Sequence, residues 1–565
     1  MKQNEIKTFN ITGSCDPSLH YMIPALDRNH RITDMIERSS YFVIHSPRQS
    51  GKTTLLDALT EKINRDGKYY ALQISLFGAN VSEDINFIFD VIAESIAKEC
   101  KSSNLPAIAS LADEIDRNRE DIYVFRIRDM LRNMCNALEK ELIIFFDEAD
   151  TIPGSAIIPF LSQIRDGYLN RLKPNKKFPK SMVLVGMIDI ADYKTKVRAD
   201  GYSAGTSSPF NVRRESLSLP DFSKKQIYEL YGQHTAASRQ SFTDGAIDRA
   251  WYWTEGQPWL VNALANLIID LKLNYDYSRT IDGDMIDDMA NDLILQNQTH
   301  FHSLAERLKE PRVLRIMDAV VSGADRFHKG VLPDDVRYCT ELGLLKPDKG
   351  GSGSLRPSNP IYQEVIVRIL SSGILMKTVP ADISSKWTDG ISLDMSGLLQ
   401  EFQKHWVENG ELMASDSRIL VSANHANIDF GILDNDAGSD PLSAADRNVN
   451  LASLLSESFC VLVLFSFLQR VLNGGALIQR EFALGRKFAD IVATYKGKRY
   501  PIEVKIKGAL SRRQSLDQLQ GYIDRCNATE GWLVVFDRDE TKTLKEKSSW
   551  EIDDSGKITK YIVNC

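Results

Sequence analysis

The chain has 565 residues, of which 43% are hydrophobic and 26% are charged, a composition typical of a globular protein of about three to five domains. Its formal net charge of −7 excludes nucleic-acid binding through overall positive charge, so any such contact must come from local basic patches. The 7 cysteines form no Cys-x-x-Cys pair and the longest apolar run (459–468) is too short to cross a bilayer, which predicts a cytoplasmic protein with reduced thiols and no membrane partner.

Four apolar segments between residues 40 and 221 alternate with segments of helical periodicity. The apolar segments are YFVIHS, YYALQISL, ELIIFFDEAD and SMVLVGMID, and helical spacing occurs in TTLLDALTEKINRDG and INFIFDVIAESIAKEC. Buried strands that alternate with helices are typical of βαβ units. We therefore predict an α/β fold with a doubly wound parallel sheet in this part of the chain.

The pattern changes after residue 221, where strand signals stop. The stretch DFSKKQIYELYGQHT predicts a helix with Asp221 as a candidate N-cap. Further on, two short apolar segments around a Gly/Ser loop, followed by a helix, are typical of a winged helix. The predicted domains are an α/β core at 1–221, a helical lid at 222–305, a winged helix at 306–375, a helical linker region at 376–455 and a second α/β domain at 456–565.

The stretch SPRQSGKTT ends a predicted strand and opens a predicted helix. It matches G-x-x-x-x-G-K-[ST] except at the first position, which is Ser46. In such a loop, backbone N–H groups cradle phosphates, Gly51 permits close approach, Lys52 reaches the β and γ phosphates and Thr53 can ligate Mg²⁺. We therefore predict an ATP and Mg²⁺ site formed by Pro47, Arg48, Gln49, Ser50, Gly51, Lys52, Thr53 and Thr54.

The segment LIIFFDEAD supplies acids at the end of a buried strand. Asp147 is predicted to hold Mg²⁺ through water, and Glu148 to orient or activate the attacking water. Asp189, at the end of the next apolar run, is a candidate γ-phosphate sensor. Arg213 and Arg214 could supply an arginine finger in cis or across a subunit interface, or could be a surface pair.

These segments, with FLSQIRDGYLNR and GQPWLVNALA, resemble the AAA-like ATPase domains related to the STAND and archaeal ATPase group. The resemblance covers residues 20–375 and implies ATP hydrolysis, a winged helix after the ATPase and possible homo-oligomers. Trp259 and Asn262 in GQPWLVNALA either touch the nucleotide from the lid or pack in its core. Ser46 departs from the family pattern and leaves the loop geometry to be checked.

A second site is predicted in GRKFADIVATYKGKRYPIEVK. A hairpin turn at KGKR would bring Asp490 next to Glu503, and the two-residue period of strands puts Lys505 on the same face as Glu503. Two adjacent carboxylates repel unless a cation lies between them, and oxygen ligands suit Mg²⁺ or Mn²⁺. Lys505 could then position a water or stabilise a phosphate, which predicts phosphodiester hydrolysis.

The surrounding charge favours a polyanionic substrate. Between residues 486 and 513 the only acids are Asp490 and Glu503. A basic surface hairpin with a chance Glu-Val-Lys is the alternative. The nine cations of this stretch are Arg486, Lys487, Lys496, Lys498, Arg499, Lys505, Lys507, Arg512 and Arg513.

This constellation resembles the PD-(D/E)XK nuclease superfamily over residues 457–538, with Ala489 in place of the family's proline. The resemblance implies that Asp490 and Glu503 bind the metal, that Lys505 is catalytic and that Gln518 on the next helix takes part. It also implies a further metal-supporting glutamate. Glu457 is the candidate and Glu481 its rival, while Tyr522 would lie on the same helix face as Gln518.

Together the two sites predict an ATP-regulated, metal-dependent nuclease, with DNA favoured over RNA, a partner protein left open and a role in bacterial defence suggested by analogy. The alternatives are a STAND-like switch that binds without cutting and a DNA-repair or mobile-element ATPase. Lys346, Lys349 and Arg356 of the predicted wing could contact DNA. The loop RLKPNKKFPK (171–180) is either a further nucleic-acid contact or simply solvated.

Overall fold

A computed structural model of the chain gives its fold. The described residues are 6–112, 115, 126–187, 213–295, 299–321, 333–347, 355–375, 387–388, 391–416, 457–472, 476–484, 487–508, 511–537, 539, 541–554 and 559–565. They form two compact units, Met1–Ala290 with Val336–Lys346, and Asn291–Asp335 with Pro347–Cys565.

The first unit contains a five-stranded parallel sheet in the order β4-β5-β6-β3-β7. All of its pairings are parallel, which confirms the parallel α/β core predicted from the apolar runs. A separate two-stranded parallel pair, β1 with β2, precedes it in the chain. The strands are β1 (Thr8–Phe9), β2 (His20–Tyr21), β3 (Tyr41–His45), β4 (Tyr70–Ser75), β5 (Leu142–Asp147), β6 (Ser181–Gly186) and β7 (Arg213–Ser218).

Helices cover both faces of this sheet. Tyr41 and Val43 of β3 belong to one buried cluster with α3, α5 and α6, whereas Phe42 and Ile44 belong to another with α1 and α2. Because both faces are buried, the strands are continuous apolar runs without alternation. The helices are α1 (Arg31–Glu37), α2 (Lys52–Asp66), α3 (Ile85–Ser102), α4 (Pro106–Ala109), α5 (Arg126–Ala137) and α6 (Gly154–Asn170), with 3₁₀ turns at Ala25–Arg28, Phe77–Val81 and Ala149–Thr151.

The segment after β7 is helical, as predicted. It contains α7 (Lys224–Ser238), α8 (Asp244–Thr254), α9 (Pro258–Leu267) and α10 (Gly283–Leu295). The N-cap of α7 is Ser223, which forms a capping box with Gln226, so the choice of Asp221 was wrong. Asp221 instead forms an ion pair with Lys346, with 2.8 Å between Nζ and Oδ2.

Helices and two three-residue strands follow along the chain. Their order over residues 299–375 is helix, helix, helix, strand, strand, helix, which is the order expected of a winged helix, and the domain assignment stays a prediction. The elements are α11 (Thr299–Leu308), α12 (Pro311–Val321), α13 (Pro333–Glu341), β8 (Leu345–Pro347), β9 (Leu355–Pro357) and α14 (Pro360–Leu375).

The C-terminal part is a six-stranded mixed sheet in the order β10-β11-β12-β13-β15-β14. The turn between β11 and β12 is two residues, Lys496 and Gly497, whose φ values of 46° and 80° suit a type I′ hairpin. The elements are α15 (Met395–Asp416), α16 (Glu457–Leu472), β10 (Leu477–Leu484), β11 (Lys487–Tyr495), β12 (Lys498–Ile506), α17 (Arg512–Cys526), β13 (Glu530–Phe536), α18 (Leu544–Lys547), β14 (Ser549–Asp554) and β15 (Thr559–Asn564).

Helix α15 packs on this C-terminal sheet. The rings of Phe402 and Trp406 contact Phe536 of β13. Upstream, Ser396 accepts a hydrogen bond from the indole N–H of Trp532 at 3.2 Å. The sequence placed these helix residues in a linker region, whereas their side chains are part of the core beneath β13.

Candidate functional site

The loop from Ser46 to Gly51 joins β3 to α2. Gln49 has φ 56° and Gly51 has φ 86°, both in the left-handed region. The backbone angle at position 51 favours glycine, and a Cβ there would lie 2.8 Å from Nη1 of Arg28, whose guanidinium would have to shift. The first-turn N–H groups of α2 have no partner within the helix and point toward this loop, an arrangement that suits phosphate oxygens.

Lys52 lies folded back on the loop. Its Nζ donates to the carbonyl oxygens of Ser46 and Pro47, each at 2.8 Å. Burial lowers the pKa of Lys52 to about 8, and the carboxylate of Asp150 is the strongest charge opposing this shift. An ammonium in this position can turn from the loop carbonyls to a phosphate without moving the helix.

Thr53 and Asp147 come together where a metal ion is expected. The Thr53 hydroxyl donates to Oδ2 of Asp147 at 2.9 Å, and Oδ1 of Asp147 accepts from the backbone N–H of Glu148 at 2.9 Å. Burial raises the pKa of Asp147, and the Thr53 hydrogen bond opposes the rise. A hydroxyl and a buried carboxylate beside a phosphate loop fit Mg²⁺, which prefers oxygen ligands.

Glu148, directly after β5, is hydrogen-bonded to Ser75 at the end of the neighbouring strand β4. Glu148 has φ 56°, and its Oε2 accepts a hydrogen bond from the Ser75 hydroxyl at 2.8 Å. Asp150 lies on the same side, close enough that a Cβ at Gly186 would be 2.7 Å from its Oδ1. The sequence analysis missed both Ser75 and Asp150, although pairing of Ser75 with Asp147 in register was deducible once β4 and β5 were known to be neighbours.

The other residues predicted to contact the nucleotide lie partly on the phosphate loop and partly outside the described residues. Thr54 uses its hydroxyl to accept the backbone N–H of Cys15 at 3.0 Å, and Arg48 is exposed on the loop. Asp189 lies outside the described residues. Arg213 opens β7, and its side chain is outside the described part of the chain.

A cavity of about 100 Å³ lies beside Gly51. Residues 10–28 form one wall, and Trp259 and Asn262 of the lid form another. The Trp259 indole N–H donates to the Ile11 carbonyl at 2.8 Å, which closes this wall onto the lid. No sequence motif pointed to residues 10–28 as a wall of this cavity.

Arg28 lines the cavity and is held in place by hydrogen bonds. Its guanidinium donates to the carbonyl oxygens of Ser50 and Pro220. Burial lowers the pKa of Arg28 to about 10, with Asp221 opposing the shift. The side chain thereby links the phosphate loop to the start of the lid.

The second candidate site lies on β11 and β12. The antiparallel register pairs Ile491 with Ile502, so Asp490 and Glu503 are opposite each other. Nζ of Lys505 lies 2.9 Å from Oε1 of Glu503 and 3.6 Å from Oδ2 of Asp490. Asp490 also accepts the Val504 N–H at 2.8 Å. The structure therefore brings together the three predicted side chains, with the lysine between the carboxylates.

Helix α17 covers this cluster. Burial, followed by the carboxylates of Glu503 and Asp490, raises the pKa of Tyr522 to about 12. Gln518, one helical turn earlier, is half-buried, and its Oε1 has no hydrogen-bond partner among the described residues. Two carboxylates and an amide oxygen fit a hard cation such as Mg²⁺ or Mn²⁺.

The resemblance implies a further glutamate that supports the metal, for which two candidates were named. Glu457 opens α16 and Glu481 lies in β10, and both side chains fall outside the described part of the chain. Within the described residues no group of three His, Cys, Asp or Glu side chains is placed to hold a metal ion. Water and the Gln518 amide could add ligands beside the two carboxylates.

Fewer unpaired positive charges lie near the second site than the count along the sequence indicated. Lys507 forms an ion pair with Asp537, with 2.6 Å between Nζ and Oδ2, and Arg512 forms one with Glu551 at 2.6 Å. Both acids lie beyond residue 513, so a count along the chain could not include them. The exposed cations at the β11–β12 turn remain, among them Lys498.

Two of the three cations predicted to contact DNA from the wing have partners within the protein. Lys346 is paired with Asp221, and Arg356 donates from Nη1 to the carbonyl of Pro357 at 3.1 Å. Lys349 lies outside the described residues. The structure gives no support for Lys346 as a nucleic-acid contact.

No protein-family model and no curated protein matches the sequence. Among solved structures, a Walker-type ATPase of Pyrococcus abyssi is 12% identical, with 63% of this chain and 99% of that chain covered and a TM-score of 0.45. The ORC2 protein of Aeropyrum pernix (14% identity, 62% and 92% coverage, TM-score 0.36) and the RuvB Holliday junction branch migration motor of Thermotoga maritima (12%, 61% and 95%, 0.32) are also similar. Similarity at this level does not define a function.

None of the described helices combines the length and apolar character needed to cross a bilayer.

Proposed function

We propose that the chain is an ATP-binding and ATP-hydrolysing, metal-dependent nuclease that cuts nucleic acid under nucleotide control. The observation that carries the proposal is the cluster of Asp490, Glu503 and Lys505 on adjacent strands, in which Glu503 and Lys505 are buried. It occurs in a chain whose first unit holds Lys52, Thr53 and Asp147 around a phosphate loop.

At the first site, the chain's own residues can bind and position ATP. Lys52 leaves the carbonyls of Ser46 and Pro47 to neutralise the β and γ phosphates, while Thr53 and Asp147 hold Mg²⁺. Glu148 orients the attacking water once it has left Ser75. Asp189 and Arg213 are proposed as the γ-phosphate sensor and the arginine finger.

At the second site, Asp490 and Glu503 would hold Mg²⁺ or Mn²⁺. When bound, the metal supplies Lewis-acid stabilisation of a phosphodiester and a more acidic water. Lys505 then positions the attacking water, and Gln518 orients it or the scissile phosphate. Water adds to phosphorus, the P–O bond to the leaving sugar oxygen breaks, and that oxygen takes up a proton.

Nucleotide control is proposed because an unregulated nuclease would damage its own cell. By analogy, the setting is the cytoplasm of a bacterium defending itself against phage or other foreign DNA. DNA is favoured over RNA as substrate. Homo-oligomers through the ATPase unit and a protein partner are further proposals.

A second candidate function is a STAND-like switch whose C-terminal domain binds without cutting. The hydrogen bond from Ser75 to Glu148 favours this candidate, because it holds the proposed water-orienting carboxylate aside.

The test is a cleavage assay on plasmid, linear duplex, single-stranded DNA and RNA, with Mg²⁺ or Mn²⁺ and with or without ATP. Wild type is run beside Lys52→Ala and Glu503→Ala. Cutting that is lost in Glu503→Ala and altered in Lys52→Ala supports the nuclease. ATP turnover without cutting of any substrate supports the switch.

A further inference from the structure

The loop from Arg171 to Lys180, called here the 171–180 loop, is held in one shape by bonds along its length. The Lys173 N–H donates to Asn170 O at 2.9 Å and the Lys176 N–H to Lys173 O at 3.1 Å. Asn136 of α5 donates from Nδ2 to Asn175 O at 3.1 Å. The loop is therefore fixed at its middle as well as at its start.

The end of the loop is anchored in the core. Phe178 is 7% exposed and packs so tightly on Gly167 that a Cβ there would lie 2.2 Å from its Cζ. The Lys180 N–H donates to Leu142 O at 2.8 Å. Folding alone therefore orders the loop, and a ligand that binds it does not have to offset the conformational entropy lost when a mobile loop becomes ordered.

Two of the five cations in the loop are used within the protein. Arg171 lies 3.6 Å from the centre of the Tyr168 ring and donates to the Tyr168 carbonyl at 2.7 Å. Lys180 forms an ion pair with Glu141 at 3.2 Å. Both side chains stabilise the base of the loop.

The other three cations, Lys173, Lys176 and Lys177, are exposed and form no ion pair with any described residue. Two acids near the base of the loop have other partners. Asp166 pairs with Arg128 at 2.8 Å, and Glu141 pairs with Lys180. On a chain of net charge −7, this fixed loop presents three uncompensated charges together.

The loop is remote from the nucleotide site. It immediately precedes β6, whereas the phosphate loop immediately follows β3, which pairs with β6 in parallel. The two loops therefore lie at opposite ends of the sheet, about 20 Å apart at about 3.3 Å per residue. A ligand at the 171–180 loop does not compete with a nucleotide.

We propose that Lys173, Lys176 and Lys177 of the 171–180 loop bind the phosphate backbone of a nucleic acid. Pre-ordered, unpaired lysines release condensed counterions from a polyanion without first breaking internal ion pairs. The contact does not depend on base sequence, because lysines on phosphates carry no sequence information. It gives the first unit its own nucleic-acid contact, separate from the cluster proposed to cut.

The test measures binding of fluorescent duplex DNA, single-stranded DNA and RNA to the full chain over a series of salt concentrations. All proteins carry Glu503→Ala so that the probes stay intact. Replacing Lys173, Lys176 and Lys177 with glutamine should weaken duplex binding at least about tenfold. It should also reduce the slope of log K against log salt by about 2.7, from about 0.9 per phosphate contact. The probe that shows the loss identifies the source of the phosphates.

Two control proteins separate charge from fold. Lys224, Lys225 and Lys272 each form an ion pair elsewhere in the first unit, and changing all three to glutamine removes the same charge. That variant should bind nearly as wild type. The triple arginine variant of the loop should also bind normally, because it keeps the charge.

The proposal is overturned if the loop variant binds all probes as wild type does, if both glutamine variants lose affinity equally, or if the arginine variant loses it too. It is also overturned if only anionic lipid vesicles lose binding. The proposal does not rest on the proposed cutting. If wild type cuts no substrate in the cleavage assay while loop-dependent binding is observed here, the proposed nuclease fails and this contact stands.

Discussion

Replacing Lys505 with methionine would leave two carboxylates facing each other in a buried site. Lys505 is 8% exposed and Glu503 2% exposed, and the ammonium lies 2.9 Å from Glu503 and 3.6 Å from Asp490. Removing one partner of a buried ion pair costs about 3–5 kcal/mol. At about 2–4 °C per kcal/mol for a domain of this size, the melting temperature of the C-terminal part should fall by roughly 6–20 °C.

The assay is calorimetric melting of the full chain, with and without Mn²⁺. In wild type a metal must displace the Lys505 ammonium, whereas in Lys505→Met the carboxylate pair is ready for it. Mn²⁺ should therefore stabilise the variant more than it stabilises wild type. At a concentration one hundred times the variant's dissociation constant, the metal stabilises the variant by about 2.7 kcal/mol.

Lys507→Met is the matched control. Lys507 lies two residues further on, just beyond the end of β12, and pairs with Asp537 at 2.6 Å, but its side chain is 59% exposed. Solvent screens such a pair, so a much smaller loss is expected. The reasoning fails if Lys505→Met melts no lower than Lys507→Met, or if Mn²⁺ raises the melting temperature of wild type and Lys505→Met equally.

Three other outcomes are expected in the first unit. Gly51→Ala should weaken ATP binding at least about tenfold in a fluorescent-nucleotide titration, since the left-handed backbone costs about 1–2 kcal/mol and the new Cβ meets Arg28; an affinity within a factor of two of wild type would contradict this. Ser75→Ala should raise ATP turnover several-fold in a phosphate-release assay by freeing Glu148, and unchanged or slower turnover would argue against a restraining bond. Burial lowers the pKa of His234 below 6.5, so the unfolded chain binds more protons and stability should fall as pH drops below 6.5. His234→Gln should flatten that dependence in thermal melts, and an unchanged slope would assign it to other groups.

Much of the fold was predictable because its signals are local. The strands of the first sheet are continuous apolar runs, and burial on both faces leaves no other simple explanation for Leu142–Asp147. The meeting of Asp490 and Glu503 was predictable for the same reason. A two-residue turn and the strand period of two fix which side chains lie opposite each other.

What the sequence could not give depends on contacts between distant segments. The hydrogen bond from Ser75 to Glu148 forms because β4 lies beside β5. The order of strands in a sheet cannot be derived from the hydrophobic periodicity of the sequence. The pairing of Arg512 with Glu551 likewise joins α17 to β14, so a local count of cations overstated the field. The wall formed by residues 10–28 carries no motif at all.

The position of α15 decides how the C-terminal part can be prepared by itself. A fragment that begins at residue 456 omits Phe402 and Trp406, and so uncovers the ring of Phe536 and the indole of Trp532. Exposed aromatic surface of this kind promotes aggregation. Expression of a soluble fragment should therefore start before α15, and a shorter fragment that precipitates would not test the proposed nuclease activity.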